Sequence, residues 1–246
     1  MKFIQPGWPA PKHIKSYTTL RSGWGGRKPH HEENRGNYSG NHPQYVEESK
    51  RLETLLQLPD EPLWITQTHS TIVIEATPEN REQNADASFT SQPNRICVVL
   101  TADCLPILIT NKQGTSVAAI HAGWRGLSSG IIEKTLQALQ QPAEDLLVWL
   151  GPAIGPQKFE VGKDVYDEFT GRHAESIAAF KPHAEGKWLA NLYELAKIRL
   201  NLQGINQIYG GDYCTFTQDE MFFSYRRDQG KTGRMATLIW IDDQIA

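Results

Sequence analysis

Two rhythms of apolar and polar positions run along the chain. From Pro43 to Leu58 the residues Tyr45, Val46, Leu52, Leu55 and Leu56 recur at helical spacing, with Pro43 near the start and Pro59 just past the end. That pattern predicts an amphipathic helix. Unbroken apolar runs rich in Val and Ile come next: LWIT (63–66), TIVIEA (71–76), RICVVLT (95–101), PILIT (106–110) and SVAAIH (116–121). Turn residues separate them, so they read as buried strands. After Gly126 the segment LSSGIIEKTLQALQQ reads as a helix entered from a Gly-containing turn, and DLLVWLG (145–151) as another buried strand.

A further helix from about Val161 to Phe169, a weakly apolar AESIAAF and a helix in ANLYELAKIRLNLQG follow, the last stopped by Gly204 as a C-cap. ATLIWI (236–241) closes the chain as a strand. The first 40 residues are rich in Gly, Pro, Asn and His, and the stretch SGWGGRKPHHEENRGNYSGNHP carries no apolar period, which predicts a long loop, ordered or mobile. Strands and helices alternate without a low-complexity linker or a repeat. The expected architecture is therefore a single compact α/β domain over residues 1–246, with mixed β-sheets flanked by helices.

Composition narrows the function classes. The 25 Lys+Arg against 28 Asp+Glu give a formal charge of −3, which supplies no basic footprint for a phosphate backbone, so nucleic acid is not an expected partner. No stretch approaches the roughly 20 apolar residues that span a bilayer. The start MKFIQPGWPAPKH has neither a basic n-region nor a long apolar core, and a cytoplasmic location without membrane contact is expected. Three cysteines, Cys97, Cys104 and Cys214, are too few for a disulfide framework, so each is either core or chemistry.

Three segments put a metal-capable side chain where a buried strand meets a loop: ITQTHS gives His69, LTADCLP gives Cys104 and AIHAGWRGL gives His121. Strand ends converging on one edge of a sheet fix geometry while loops admit a ligand. Two imidazoles and a thiolate suit Zn²⁺, with a fourth position left open for water. The spacing leaves two other readings standing. Cys104 can be a small buried hydrophobe beside hydrogen-bonded histidines, or a nucleophile with His121 as its base and no metal. Asp103, next to Cys104, has a salt bridge or a turn hydrogen bond as its ordinary fate, and a proton carrier's role beside the cluster as its chemical one.

HAGWRG places Gly123 and Gly126 around Arg125 just before a helix, where backbone N–H groups and a guanidinium can face an anion. FFSYRRDQGKTGR concentrates Arg226, Arg227, Lys231 and Arg234 within nine residues, a dense positive site in an acidic chain. Cys97, inside an apolar strand, reads as structural, and Cys214 as core or cleft lining.

TADCLPILI, AAIHAGWRGL, WLGPAIGPQKFEVG, GGDYCTFT and FFSYRRDQGKTGRMA, in this order, resemble the bacterial YfiH/YlmD family, also called the laccase-domain or multicopper polyphenol oxidase family. The resemblance extends to IQPGWPAP and YVEESKRL and so covers essentially the whole chain. It implies a zinc ion held by His69, Cys104 and His121, with copper as an alternative occupant of the same site. It also implies phosphorolysis of adenosine, inosine, guanosine and methylthioadenosine, and deamination of adenosine.

Phosphate would then be held among Arg125, Arg226, Arg227 and Arg234 while it attacks the anomeric carbon. Water activated at the metal would attack C6 of adenine, with Asp103 moving protons. The expected partners are a small nucleoside and phosphate. The family's other labels are copper-dependent phenol oxidase and editing of peptidoglycan precursors, the latter open to a Cys104/His121 hydrolase or amidase. A multicopper oxidase needs many histidines, typically in HxH pairs, whereas this chain has eight His and no HxH.

Three departures fall on the N-terminal side. TTLRSGWGG carries Leu20 where the family shows TTR, QTHS has Ser70 in place of a glycine, and the stretch before the first long helix lacks a Gly-Asp pair and has Ser49-Lys50 for Asn-Arg.

Overall fold

The computed structural model describes residues 2–24 and 43–243. Most of the predicted loop lies outside the described residues. The helix predicted from Pro43 runs Pro43–Leu56. It stops two residues early because Gln57 enters the left-handed region (φ 52°) and the Leu58 N–H turns back to the Glu53 carbonyl.

A six-stranded sheet forms the centre. Its spatial order is Ile208–Gly210, Leu146–Leu150, Leu105–Asn111, Val117–Ala122, Ala87–Thr90 and Val73–Glu75. The two outer pairings are parallel and the three inner ones antiparallel, so the sheet is mixed. A four-stranded antiparallel sheet, ordered Phe3–Ile4, Ile14–Thr19, Met235–Ile241 and Cys97–Thr101, packs against one face.

Alternation along the strands divides the core. Ile107, Ile109, Ile120 and Val148 face Leu127, Ile131, Leu195 and Leu200 of the helices. Leu108, Ala119 and Trp149 face Val99, Met235 and Ile239 of the second sheet. On that sheet's far side Val98, Leu238 and Trp240 meet Leu52 and Leu56 of the first long helix. The result is four layers, helix, sheet, sheet and helices, in one compact α/β domain. Cys97 lies within the core between the sheets, where burial pushes its thiol up to about 12. No helix among the described residues is long and apolar enough to cross a membrane.

Several elements differ from their sequence pattern. LWIT is extended but makes isolated bridges to two partners, Leu63 to Cys97 and Thr66 to Asn84, so no ladder forms. The helix expected after Gly126 is two helices, Trp124–Ser129 and Ile131–Leu139, broken at Gly130 (φ 101°). The helix expected from Val161 starts at Lys163, because Glu160–Gly162 is a strand paired with Lys187–Ala190. AESIAAF supplies a 3-10 turn, Ala174–Ala179, before the strand Phe180–Ala184.

Ile14–Thr19 is a strand within the first 40 residues, for which the sequence pattern predicted no strand. Its inward positions are partly hydroxyls, with Thr18 Oγ1 and Thr237 Oγ1 2.9 Å apart and Thr19 Oγ1 accepting from the Ala236 N–H.

Candidate metal centre and cavity

Strand register brings the chemistry together. The strands Leu105–Asn111 and Val117–Ala122 pair Leu105 with Ala122 and Pro106 with His121, which places Cys104 beside His121. Across the next pairing Ala87 lies opposite Ile120, and the His121 N–H donates to the Asp86 carbonyl at 2.7 Å. His69 arrives from the loop before Val73–Glu75, with its Nε2 3.8 Å from the Cys104 sulfur. One ligand atom from each of His69, Cys104 and His121 lies within 4.8 Å of the others. The buried-hydrophobe reading of Cys104 does not fit a half-buried sulfur flanked by two imidazoles.

Asp86 is the residue that sequence reasoning missed. Its side chain is fully buried, and Oδ1 accepts from His121 Nδ1 (2.7 Å) and the His69 N–H (3.0 Å). Oδ2 accepts from the Ser70 N–H (2.6 Å) and Ser70 Oγ (2.7 Å), and more distantly from the Thr68 N–H (3.2 Å). The Ser70 that departs from the family's glycine thus contributes a hydroxyl to this carboxylate. The one signal in the sequence is an acid placed immediately before the strand Ala87–Thr90.

Charge in the cluster is mutual. Burial opposes ionisation of Asp86, but the hydrogen bond and charge of His121 and the Ser70 donors outweigh it and hold the carboxyl at about 2. Burial likewise opposes charge on Cys104, yet the neighbouring His121 and His69 lower its thiol to about 6. Burial would depress His121, but Cys104 and Asp86 raise it to about 9. The sulfur therefore favours the thiolate, the form that ligates metals.

The cluster is also built to fit closely. A Cβ on Gly123 would lie 2.6 Å from His69 Cδ2 and 3.2 Å from the Cys104 sulfur, and one on Gly126 would lie 2.9 Å from the Ser70 carbonyl oxygen. The two glycines around Arg125 permit this close approach. His69 (φ 61°) and Asp103 (φ 86°) both hold left-handed backbone beside the ligands. The donor set, its convergence and this cradle fit a metal ion.

The cluster forms one wall of a cavity of about 590 Å³, whose other walls include Phe159, Tyr225, Arg125, Arg226 and Arg234. The Arg125 guanidinium lies over the Trp124 ring at 4.4 Å. Arg226 donates to the Glu160 carbonyl at 3.0 Å and lies over Phe159, and Arg234 donates to the Thr232 and Gly233 carbonyls.

Arg227, expected among the phosphate-holding arginines, is placed otherwise. Its guanidinium is consumed by the Thr215, Phe216 and Phe222 carbonyls and by Asp228. Asp103, expected as a proton carrier, has its carboxylate filled by Thr215 Oγ1, Ser224 Oγ (3.1 Å) and the Arg226 N–H (2.7 Å). It ties the arginine-bearing segment to the residue next to Cys104. Cys214 lies outside the cavity wall, its sulfur accepting from the Gly155 N–H at 3.2 Å.

Of the N-terminal departures, the stretch lacking the Gly-Asp pair lies outside the described residues, and those at Leu20 and Ser49 lie in the frame. Leu20 is buried, Arg21 donates to the Asp219 carbonyl, and the Ser49 hydroxyl accepts from the buried Trp64 indole.

The chain is 47% identical over 245 residues to a protein of Haemophilus influenzae called purine nucleoside phosphorylase, covering 98% of this chain and all of that one. It is 46% identical over 242 residues to the Escherichia coli K12 protein called purine nucleoside phosphorylase YfiH, covering 98% and 99%.

Among solved structures, Neisseria meningitidis protein NMB0706 superposes with a TM-score of 0.88 at 41% identity, covering 98% of this chain and 100% of the other. YlmD from Geobacillus stearothermophilus superposes with a TM-score of 0.87 at 25% identity, covering 99% and 97%. The model of the family described as multi-copper polyphenol oxidoreductase laccase matches residues 15–242, and the chain belongs to that family.

Proposed function

We propose that the chain is a cytoplasmic zinc-dependent purine nucleoside phosphorylase, with deamination of adenosine as a second reaction of the same cavity. The observation that carries this reading is a single cavity with a His/Cys/His cluster on one wall and arginines on the others, in a chain 47% identical to a protein called purine nucleoside phosphorylase. Zinc fits the donor set better than magnesium or calcium, which prefer oxygen ligands. When bound at His69, Cys104 and His121 it would supply Lewis-acid polarisation and a lowered pKa for water.

The chain's own residues divide the remaining work. Arg125, Arg226 and Arg234 draw phosphate into the cavity, Arg125 having the freest head group of the three. Phe159, Ile154 and Tyr225 offer apolar and aromatic surface for a purine ring. Asp86 keeps the His121 Nδ1 proton in place, so that Nε2 faces the cavity. Phosphate on the arginines then reaches the anomeric carbon as the purine leaves, and charge stabilisation lowers the barrier.

The third ligand favours this reading over a metal-free Cys104/His121 hydrolase of cell-wall precursors. A nucleophile and its base need no second imidazole on the sulfur. Copper in the same site would give oxidase chemistry as a side reaction. The described residues bring together one His/Cys cluster, whereas a multicopper oxidase uses a mononuclear site and a three-copper cluster.

Chromatography of adenosine incubated with zinc-loaded protein, with and without phosphate, tests the proposal. Phosphate-dependent adenine establishes phosphorolysis, and inosine establishes deamination. Unchanged adenosine with a folded, zinc-loaded protein would overturn the assignment in favour of amide substrates.

A further inference from the structure

We infer that Asp86 is the positioning residue of the metal centre, its one carboxylate setting the ring of His121 and the backbone of His69 together and thereby fixing how tightly the cluster holds its ion. The inference rests on the zinc reading above. Asp86 is fully buried, which is rare for an aspartate unless its lone pairs are matched. Here they are matched almost entirely by the metal cluster and its loop. Oδ1 takes the His121 ring and the His69 N–H, and Oδ2 takes Ser70 twice.

Both histidines depend on these bonds in different ways. The His121 ring has two nitrogens, and a donor bond from Nδ1 to a carboxylate selects the tautomer whose Nε2 lone pair is free to ligate. His69 holds φ at 61°, a left-handed conformation disfavoured for a residue with a Cβ. Three consecutive N–H groups, from Thr68, His69 and Ser70, converge on Asp86 and hold that turn. A neutral amide could accept some of these bonds, but a carboxylate adds a charge. Zn²⁺ with a Cys104 thiolate and two neutral imidazoles carries a net +1, which the Asp86 carboxylate cancels in a buried setting.

The test compares the full-length parent, Asp86→Asn and Ser70→Ala by two readouts. The first is zinc affinity, measured by competition with a chromophoric chelator, and the second is amide hydrogen exchange at residues 68–70 before metal is added. Asp86→Asn is expected to weaken zinc roughly 10–100-fold and to speed exchange across the turn, and Ser70→Ala to do both to a smaller degree.

A folded Asp86→Asn protein that is less stable but binds zinc with parental affinity would overturn the inference, because that is the result of a purely structural role. Should Asp86→Asn fail to fold, Ser70→Ala decides, with unchanged zinc affinity and exchange counting against Asp86. A folded parent that takes up no zinc at all removes the zinc reading itself. Parental zinc uptake with indifferent variants removes the inference alone.

Discussion

The two sides of the cavity are made by opposite means. On the metal side, Cys104 and His121 sit at the ends of paired strands, a buried carboxylate holds both histidines, and glycine at 123 lets His69 approach within contact distance. On the arginine side, Arg125 and Arg226 are exposed, and Arg226 and Arg234 spend part of their donors on backbone carbonyls. Burying one long arginine side chain costs up to about 2 kcal/mol of rotamer freedom. The fold therefore prepares the His/Cys/His cluster in advance, whereas on the proposed reading an anionic ligand would itself order the side chains that receive it. On the proposed reading, ion affinity follows from the frame and substrate choice from the side chains of the arginine wall.

The largest effect expected from breaking this contrast is at Cys104. Cys104→Ala removes the anionic ligand and should lower zinc affinity more than 100-fold, beyond the range typical of partners lying behind the ligands. Phosphorolysis and deamination should both fall to background if zinc serves both. Metal analysis after dialysis, beside product chromatography, checks this, and retained phosphorolysis with lost inosine would show that only deamination needs the metal side. Gly123→Ala ranks next. Its Cβ would stand 2.6 Å from His69 Cδ2, so His69 must move and zinc affinity should drop about tenfold or more, with the helix Trp124–Ser129 still folded by circular dichroism.

The same contrast explains what the chain made legible. Strands buried on both faces, such as Leu105–Asn111 and Val117–Ala122, announce themselves as apolar runs, and the three residues of the His/Cys/His cluster could be singled out because each ends or follows an apolar run. Ile14–Thr19 stayed hidden because its inward side is partly hydroxyl, satisfied by Thr237 and by the Ala236 N–H only once the sheet forms. Gly130 split a helix that periodicity drew as continuous, since periodicity does not register a residue able to take φ 101°.

Asp86 lies 17 residues from His69 and 35 from His121, distances that a tertiary contact erases and a motif does not show. Among the arginines, charge was legible along the chain but destination was not. Arg125, Arg226 and Arg234 line the cavity, whereas Arg227 turns into the frame.

An intermediate effect is expected where the arginine side is cut. Arg125→Ala and Arg226→Ala should each raise KM for phosphate by roughly 10–100-fold, the value of losing one charge-assisted hydrogen bond of about 1.5–3 kcal/mol. Zinc content should stay at the parental level. Steady-state kinetics with varied phosphate, paired with metal analysis of the same samples, reads both quantities. Loss of zinc in the Arg226 variant would break the comparison, and the path is already visible. The Arg226 N–H donates to Asp103, the neighbour of Cys104, so displacement of that segment could reach the thiolate.

The smallest effect on catalysis, and the one that sharpens the contrast most, is expected at Arg227. It belongs by sequence to the arginine side but is built like the metal side, with its guanidinium held by the Thr215, Phe216 and Phe222 carbonyls and by Asp228. Removing it in Arg227→Ala leaves those carbonyls short of a donor, at a cost of about 1–3 kcal/mol in stability. For a chain of this length that corresponds to a fall in Tm of roughly 2–12 °C, at about 2–4 °C for each kcal/mol.

KM for phosphate, measured well below the lowered Tm, should stay within about twofold of the parent. A Tm that does not move together with a tenfold rise in KM would place Arg227 in the cavity after all, and would mean that the 215–228 segment rearranges when an anion arrives. The expected pattern, lost stability with phosphate affinity kept, would show that charge clustered in sequence divides by the partner each guanidinium has already found.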